Sequence, residues 1–257
     1  MRILAINGSH RKHGGLNQLM IDALFAGARA AGGETECIRL AEKKILPCTS
    51  CEKCQRKSGY GCINDDKDDF DSITKMIREA DVVILATPVY IFQMSSHMKA
   101  FIERFYSRGK SHVLRFSRSG LIFHDIDHSL MSKAFVALIV SRNIETKTTA
   151  NLRQYFQYYS EFNDAPMVGC LVRNGGYILT ETESKLDNRE KTCRKRILEA
   201  LDRSGHELVT AGIISRATER AVSQNILPMP RIVFKLVKHT PFGKKFILQK
   251  SMDLTNE

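Results

Sequence analysis

The sequence predicts an α/β domain built on a doubly wound, five-stranded parallel sheet with helices on both faces, followed by a C-terminal extension. Three observations predict it. Five short β-runs recur along the chain, helical periodicities fall between them, and a glycine-punctuated loop follows the first run directly. Strands buried on both faces read as continuous apolar runs, and strands that alternate with helices pair in parallel. With 257 residues, 43% hydrophobic and 26% charged, the chain has ample material for one large core.

Residues 2–7 (Arg-Ile-Leu-Ala-Ile-Asn) form the first predicted strand. The loop Gly8-Ser9-His10-Arg11-Lys12-His13-Gly14-Gly15 follows. Leu16, Leu19, Met20, Ala23 and Leu24 then recur at helical intervals until Gly32-Gly33 ends the helix. Residues 34–40 are a second strand. Residues 41–64 carry cysteines and no clean period. Asp65 or Asp66 is a candidate cap for a helix with Phe70, Ile73, Met76, Ile77 and Ala80 on one face. Residues 82–87 read as a buried central strand, stopped by Pro88. Ser95 or Ser96 caps a helix that turns Met98, Phe101, Ile102 and Phe105 inward. Residues 109–132 are an irregular insert. A strand at 134–140, a helix near 148–160, a strand at 167–172 and helices near 188–204 and 207–224 complete a domain spanning 1–227. Pro228 and Pro230 separate it from a basic amphipathic extension, 228–257. In such sheets ligands bind outside the carboxyl ends of the strands at the topological switch point, so the loops after strands one, three and four should carry the chemistry.

Composition narrows the function classes. The net charge is +11, but the basic residues are spread along the chain without a zinc-finger or RNA-recognition signature. An anionic small substrate or an acidic protein partner fits that charge, and nucleic acid is not expected. No apolar run reaches the roughly 18–20 residues that span a bilayer. Met1 leads within one residue into Ile3-Leu4-Ala5-Ile6, too short for a signal-peptide core, so the expected compartment is the cytoplasm. There the seven cysteines would stay reduced.

The first loop joins a strand to a helix start, where backbone N–H groups and the macrodipole favour an anion. Ser9 adds a hydroxyl and Arg11 a guanidinium. The loop lacks the Lys-Ser/Thr pair of a nucleoside-triphosphate site and the G-x-G-x-x-G of a dinucleotide site, so a terminal monophosphate is the natural guest. Read alone, it is equally an ordinary βα turn.

Asn7-Gly8-Ser9, Ala86-Thr87-Pro88-Val89-Tyr90 and Met94-Ser95-Ser96-His97-Met98-Lys99-Ala100-Phe101-Ile102-Glu103-Arg104 together resemble the NADPH-dependent FMN reductase family of the flavodoxin-like superfamily. The resemblance covers roughly residues 1–228 and thins over 109–132. It implies a flavodoxin-like fold and bound FMN. Ser9, Arg11, Gly15, Leu16 and Asn17 would surround the phosphate. Pro88, Val89, Tyr90, Ile91 and Phe92 would flank the isoalloxazine, and Ser141, Arg142 and Asn143 would line its polar edge. His10 stands where the family usually has proline, Gly14-Gly15-Leu16 lacks the usual Asn-Thr pair, and Glu103 replaces a usual aspartate.

Cys48-x2-Cys51-x2-Cys54-x7-Cys62 has the compact four-cysteine spacing of iron–sulfur ligation. The segment also resembles the iron–sulfur flavoprotein branch of the family, which implies a 4Fe–4S cluster. Three alternatives stay open. Zinc usually takes two separated cysteine pairs, reductases of this superfamily retain some such cysteines without metal, and a plain surface loop with free thiols is the least favoured. The loop follows strand two, so it should open on the same sheet edge as the flavin. Cys37, Cys170 and Cys193 read as small buried apolar residues.

His124-Asp125-Ile126-Asp127-His128 has metal-ligand residue types but reads better as a solvated or subunit-contacting loop, and the surrounding insert is placed to cover the flavin's open face. In the extension, Ile232, Val233, Leu236 and Val237 fall at helical spacing, with Arg231, Lys235 and Lys238 on another face. Phe242, Phe246, Ile247 and Leu248 follow. This surface suits packing on a neighbouring subunit, with contact to an anionic membrane as the rival. The functional expectation is an FMN-dependent oxidoreductase with a 4Fe–4S cluster. It would move electrons between a hydride or two-electron donor and a one-electron carrier or small acceptor. NAD(P)H or a protein carrier such as a ferredoxin would be the partner, and the chain a homodimer or homotetramer. The rivals are an FMN-only NAD(P)H-dependent reductase of quinones, nitro compounds or flavin, and a non-catalytic FMN electron carrier.

Overall fold

The computed structural model describes residues 1–227, 231–237 and 239–245. It divides into two compact units, Met1–Ser223 and Gln224–Glu257. In the first unit the chain runs β1 (Arg2–Asn7), α1 (Gly15–Ala30), β2 (Glu34–Arg39), α2 (Phe70–Glu79), β3 (Val82–Tyr90), β4 (Gln93–Met94), α3 (Ser96–Glu103), β5 (Gly109–Phe116), β6 (Ile122–Ile126), α4 (His128–Met131), β7 (Ala134–Val140), α5 (Ala150–Asn163), β8 (Met167–Arg173), α6 (Tyr177–Thr180), α7 (Asn188–Ala211) and α8 (Arg216–Val222).

The main sheet has the order β2-β1-β3-β7-β8, all parallel, with the short β4 antiparallel to β3. The five expected strands are these five. The chain moves outward in one direction from β1 to β2 and in the other from β3 to β8, so the switch point lies between β1 and β3. Alternate residues share a face. Leu4, Ile6, Val83, Leu85, Phe135, Ala137 and Ile139 face a buried cluster filled by Phe70, Ile73 and Ile77 of α2, Met98 and Phe101 of α3, and Leu152 and Phe156 of α5. The opposite face takes α1, and α7 packs on α1.

That helix pair approaches through glycine. A Cβ on Gly27 would lie 1.8 Å from the Asp202 carbonyl oxygen, and one on Gly205 would lie 1.9 Å from the Leu24 carbonyl oxygen. This corrects one boundary. The expected break between helices near 205 does not exist, because Gly205 serves a close approach within a continuous α7. The helix starts at a capping box, in which Glu190 N–H donates to Asp187 at 2.7 Å and Asp187 N–H donates to Glu190 at 3.1 Å. It ends at Gly212, whose φ of 72° is the left-handed conformation that favours glycine.

Two further expectations fail for physical reasons. Pro88 does not stop its strand, since β3 pairs with β7 through Pro88↔Val140. The Ala86 carbonyl points toward β1, where it accepts the Gly8 N–H at 2.8 Å. Pro88, two residues on, turns the same way, but β1 pairs no further than Asn7↔Ala86. The missing N–H therefore costs no ladder bond. The insert at 109–132 is not irregular. It is an antiparallel hairpin, β5–β6, with a register shift between Lys110 and Leu114, followed by α4.

In the second unit, α9 (Arg231–Val237) exposes Ile232, Val233 and Leu236, and Phe242 is exposed beyond it. Pro228, Pro230, Lys238, Phe246, Ile247 and Leu248 lie outside the described residues. No helix among the described residues is long and apolar enough to cross a membrane.

Candidate functional site

The loop after β1 is built around an uncapped helix start. Gly14 precedes α1 without a side-chain cap, and the first turn holds no acidic residue. The orphan N–H groups at the start of this 16-residue helix are thus left for an anion. The Arg11 stem passes over Gly15, its Cδ 3.1 Å from where a Cβ would stand. Asn7, which is buried, shapes the loop: its Oδ1 accepts the Ser9 N–H at 3.0 Å and its Nδ2 donates to Gln18 at 3.1 Å. Ser9 Oγ accepts the Arg11 N–H at 3.2 Å. Asn17 is buried beside them, with its Oδ1 lacking a hydrogen-bond partner. A bound hydroxyl group would satisfy that acceptor.

Ser95 locks this loop to the next one. Its Oγ donates to the Gly8 carbonyl and accepts the Met98 N–H at 3.2 Å, while its own N–H donates to Thr87 Oγ1 at 3.1 Å. His10 extends the link by stacking on Tyr90, with centroids 5.0 Å apart and planes 14° apart, and by meeting His97 edge-on. Burial, and secondarily the charge of His97, lowers the His10 pKa. The structure therefore brings the expected phosphate residues and the expected ring-flanking residues to one place.

Val89 and Met94 pair across the β3–β4 hairpin, whose two turn residues are Ile91 and Phe92. Their φ angles are 46° and 64°, a region that suits Asn and Gly and strains a β-branched side chain. Tyr90, Ile91 and Phe92 are all exposed, Ile91 to 89%. A strained turn displaying apolar side chains beside a phosphate loop is an unfinished wall for a flat ring. Phe92→Gly is expected to stabilise the fold by about 0.5–1 kcal/mol through relief of the left-handed strain, while weakening cofactor binding. Paired thermal melts with and without FMN check this, and a lower melting temperature of the cofactor-free variant counts against it.

Ser141, Arg142 and Asn143 follow β7 as expected, but two of their side chains serve the loop itself. Ser141 Oγ accepts the Asn143 N–H at 3.1 Å, and Asn143 Oδ1 accepts the Glu145 N–H at 2.8 Å. Arg142 is exposed. This loop joins the one after β8 through Gly176 N–H to Ser141 O at 2.8 Å, and Leu16 of α1 lies against Gly176.

The cysteines form a second locus. Cys48, Cys51, Cys54 and Cys62 all line one cleft, together with Arg104, Tyr106 and Ser107. Ser50 and Glu52 have φ of 50° and 55°, and these left-handed residues coil the chain so that successive cysteines turn to the same cleft. Cys54 is buried and Cys51 exposed. The Lys53 backbone N–H, ahead of smaller opposing and supporting effects, holds the Cys51 thiol below its ordinary pKa. Among the described residues no three His, Cys, Asp or Glu side chains converge as ligands of a single metal ion. Thiolates around one zinc stand about 3.8 Å apart, set by a Zn–S bond of about 2.3 Å. Four cysteine side chains around one cleft are the donor set an iron–sulfur cluster takes.

The loop is braced from outside. Gln55 Nε2 donates to Cys54 Sγ at 3.4 Å and to the Tyr106 and Gly109 carbonyls at 3.1 and 3.2 Å. Buried Lys110 donates to the Cys54 and Lys57 carbonyls at 2.9 and 2.7 Å, and Tyr60 donates to Asp125 at 2.6 Å. The β5–β6 hairpin thus buttresses the cysteine loop, and Asp125 of the His124–His128 stretch serves that bracing. Beneath lies a buried ion network. Arg104 pairs with Asp68 and Asp65, and Arg108 pairs with Asp65 and Asp71 at 2.8 and 3.0 Å. Sequence reasoning missed these arginines. Their signal was spacing, since Arg104 and Arg108 fall three and seven residues after Phe101, on the inward stripe of the helix and the turn after it.

The phosphate and ring loops meet at the N-terminal end of α3, through Ser95, whereas the cleft is lined by Arg104, Tyr106 and Ser107, which follow its C-terminal end. The eight residues of α3, about 12 Å of helix, run between the two. Cys37, Cys170 and Cys193 stand elsewhere. Burial pushes the Cys37 and Cys170 thiols up to about 11, as expected for inert packing residues.

Comparison with known proteins places this geometry. The NADPH-dependent FMN reductase family matches residues 1–170. An iron–sulfur flavoprotein of Archaeoglobus fulgidus is 35% identical over 122 residues, 48% of this chain and 53% of that protein. An iron–sulfur flavoprotein of Methanocaldococcus jannaschii is 38% identical over 104 residues, 40% of this chain and 51% of that protein. The chain thus spans about half the length of these relatives. Among solved structures, an FMN-dependent NADH-azoreductase from Bacillus anthracis in complex with FMN has a TM-score of 0.57 at 11% identity, covering 82% of this chain and 100% of that one. That likeness establishes the flavodoxin-like fold.

Proposed function

Because the chain belongs to the NADPH-dependent FMN reductase family, we propose that it is an FMN-dependent oxidoreductase that also carries a 4Fe–4S cluster. It moves electrons between a hydride or two-electron donor, NAD(P)H by family, and a one-electron protein carrier or a small acceptor. The observation that carries the FMN half is the uncapped start of α1 with Arg11 laid over it, facing the strained Tyr90-Ile91-Phe92 wall. The cluster half rests on four cysteines lining one cleft, in a chain similar to iron–sulfur flavoproteins.

Bound FMN supplies the exchange between two-electron and one-electron chemistry. The chain's own residues position it. Ser9, Arg11 and the N–H groups of Gly15, Leu16 and Asn17 hold the phosphate. Pro88 to Phe92 cover one ring face and exclude water from it. Cys48, Cys51, Cys54 and Cys62 hold the cluster as thiolates. The extension is an oligomer contact in this reading.

Arg11→Ala is expected to weaken FMN binding by about 1.5–3 kcal/mol through loss of a charge-assisted phosphate contact. Equilibrium dialysis measures it. The whole reading is tested by absorption spectra and iron, sulfide and flavin analysis of anaerobically purified protein. Protein that takes up no FMN sinks it, and iron-free protein that still oxidises NAD(P)H yields the FMN-only reductase.

A further inference from the structure

Arg104 is 1% exposed, yet it lines the cysteine cleft. Both terminal nitrogens are engaged. Nη1 donates to the Leu46 carbonyl at 2.9 Å and to Asp68, and Nη2 donates to Asp65 at 3.1 Å. The Phe70 ring lies 4.6 Å from the guanidinium carbon and closes one side. The Arg104 Nε–H is buried without an acceptor, as are those of Arg108 and Arg115, but of the three only Arg104 lines the cleft. Buried donors are almost always paired, so an orphan at the wall of a cleft marks the place of a missing acceptor. The neighbouring charges sharpen this. Burial works against the guanidinium's charge, but Asp68, Cys62 and Asp65 outweigh it and raise its pKa. The carboxylates clamp the side chain and offset most of its charge, so what Arg104 offers the cleft is a fixed, directed N–H.

We infer that Arg104 donates this Nε–H to a sulfur atom of the group held by Cys48, Cys51, Cys54 and Cys62, and is the positioning residue that sets its reduction potential. The inference rests on the cluster reading proposed above. Reduction adds one electron to an already anionic cluster and moves no proton and breaks no bond. A donor aimed at sulfur favours the more negative, reduced form and raises the potential. Gln55, donating to Cys54 Sγ at 3.4 Å, acts in the same direction from the other side of the loop.

The test uses the full chain, purified anaerobically, with iron and sulfide analysis and an EPR-monitored redox titration of wild type, Arg104→Gln and Arg104→Lys. Lysine keeps the charge in the Asp65–Asp68 clamp but has no Nε–H. Both variants are expected to shift the reduced-to-oxidised ratio about tenfold toward oxidised at a fixed potential, which is about 59 mV for a one-electron couple. Because either variant can fail to fold, pulsed EPR of reduced wild type grown with ¹⁵N-arginine gives a second readout, with a weak arginine nitrogen coupling expected. Unchanged potentials in iron-loaded variants, or no such coupling in iron-loaded wild type, overturn the inference alone. Iron-free wild type overturns the cluster reading and the inference with it.

Discussion

Replacing Cys54 or Cys62 by alanine is expected to abolish bound iron almost completely while leaving FMN content near wild type. Each supplies one of four thiolates to a single cleft, so the loss of one removes a ligand that no other described cysteine can replace. Cys37, Cys170 and Cys193 do not line that cleft. The flavin is spared because the phosphate loop is pinned by Asn7 and Ser95 at the far end of α3, and the His13–Glu42 pair that links it to residues 41–64 is long, at 3.9 Å. Iron and flavin quantified on the same anaerobic sample check both halves. Joint loss of iron and flavin would show that the cysteine loop also shapes the flavin site.

Gly205→Ala has the largest expected effect on stability. The new methyl would stand 1.9 Å from the Leu24 carbonyl oxygen and 2.6 Å from the Ala28 nitrogen, which are backbone atoms that cannot rotate aside. The helices must part, at a cost of about 1–3 kcal/mol for an overpacked core. For a domain of this size that lowers the melting temperature by roughly 2–12 °C, in spite of alanine's better helix propensity. Gly27→Ala meets the Asp202 carbonyl at the same crossing, and the double variant is expected to cost less than the sum because the first substitution has already separated the pair. Calorimetry of the two single variants and the double variant measures the coupling, and a Gly205→Ala protein as stable as wild type would refute the packing argument.

The sheet was legible because β1, β3, β7 and most of β8 are buried and read as apolar runs, while the edge strand β2 is only part-buried. The first loop was legible because an uncapped helix after a strand carries its own chemistry. What misled were residues whose local meaning is overruled by partners distant in sequence. Gly205 reads as a helix end until α1 is seen against it. Pro88 reads as a strand end until β1 is seen to stop short. The hairpin at 109–126 was hidden because Val113, Leu114, Phe116 and Ile122 are exposed and its register slips, so no two-residue alternation marks it. Ser95 could be read as a cap, but its bond to Gly8, 87 residues away, could not. Arg104 and Arg108 look like surface charges until Asp65, Asp68 and Asp71 are placed beneath them.

The glycine crossing also sets a timetable for synthesis. Gly27 leaves the ribosome about 180 residues before the backbone it is shaped to meet. At about 5–20 residues per second, that partner is delayed by roughly 10–35 seconds. Throughout this interval α1 presents its smooth, small-residue flank with nothing to cover it, while β1, β2 and β3 already have each other. Until α7 is made, the α1 face it covers in the folded unit has no partner helix.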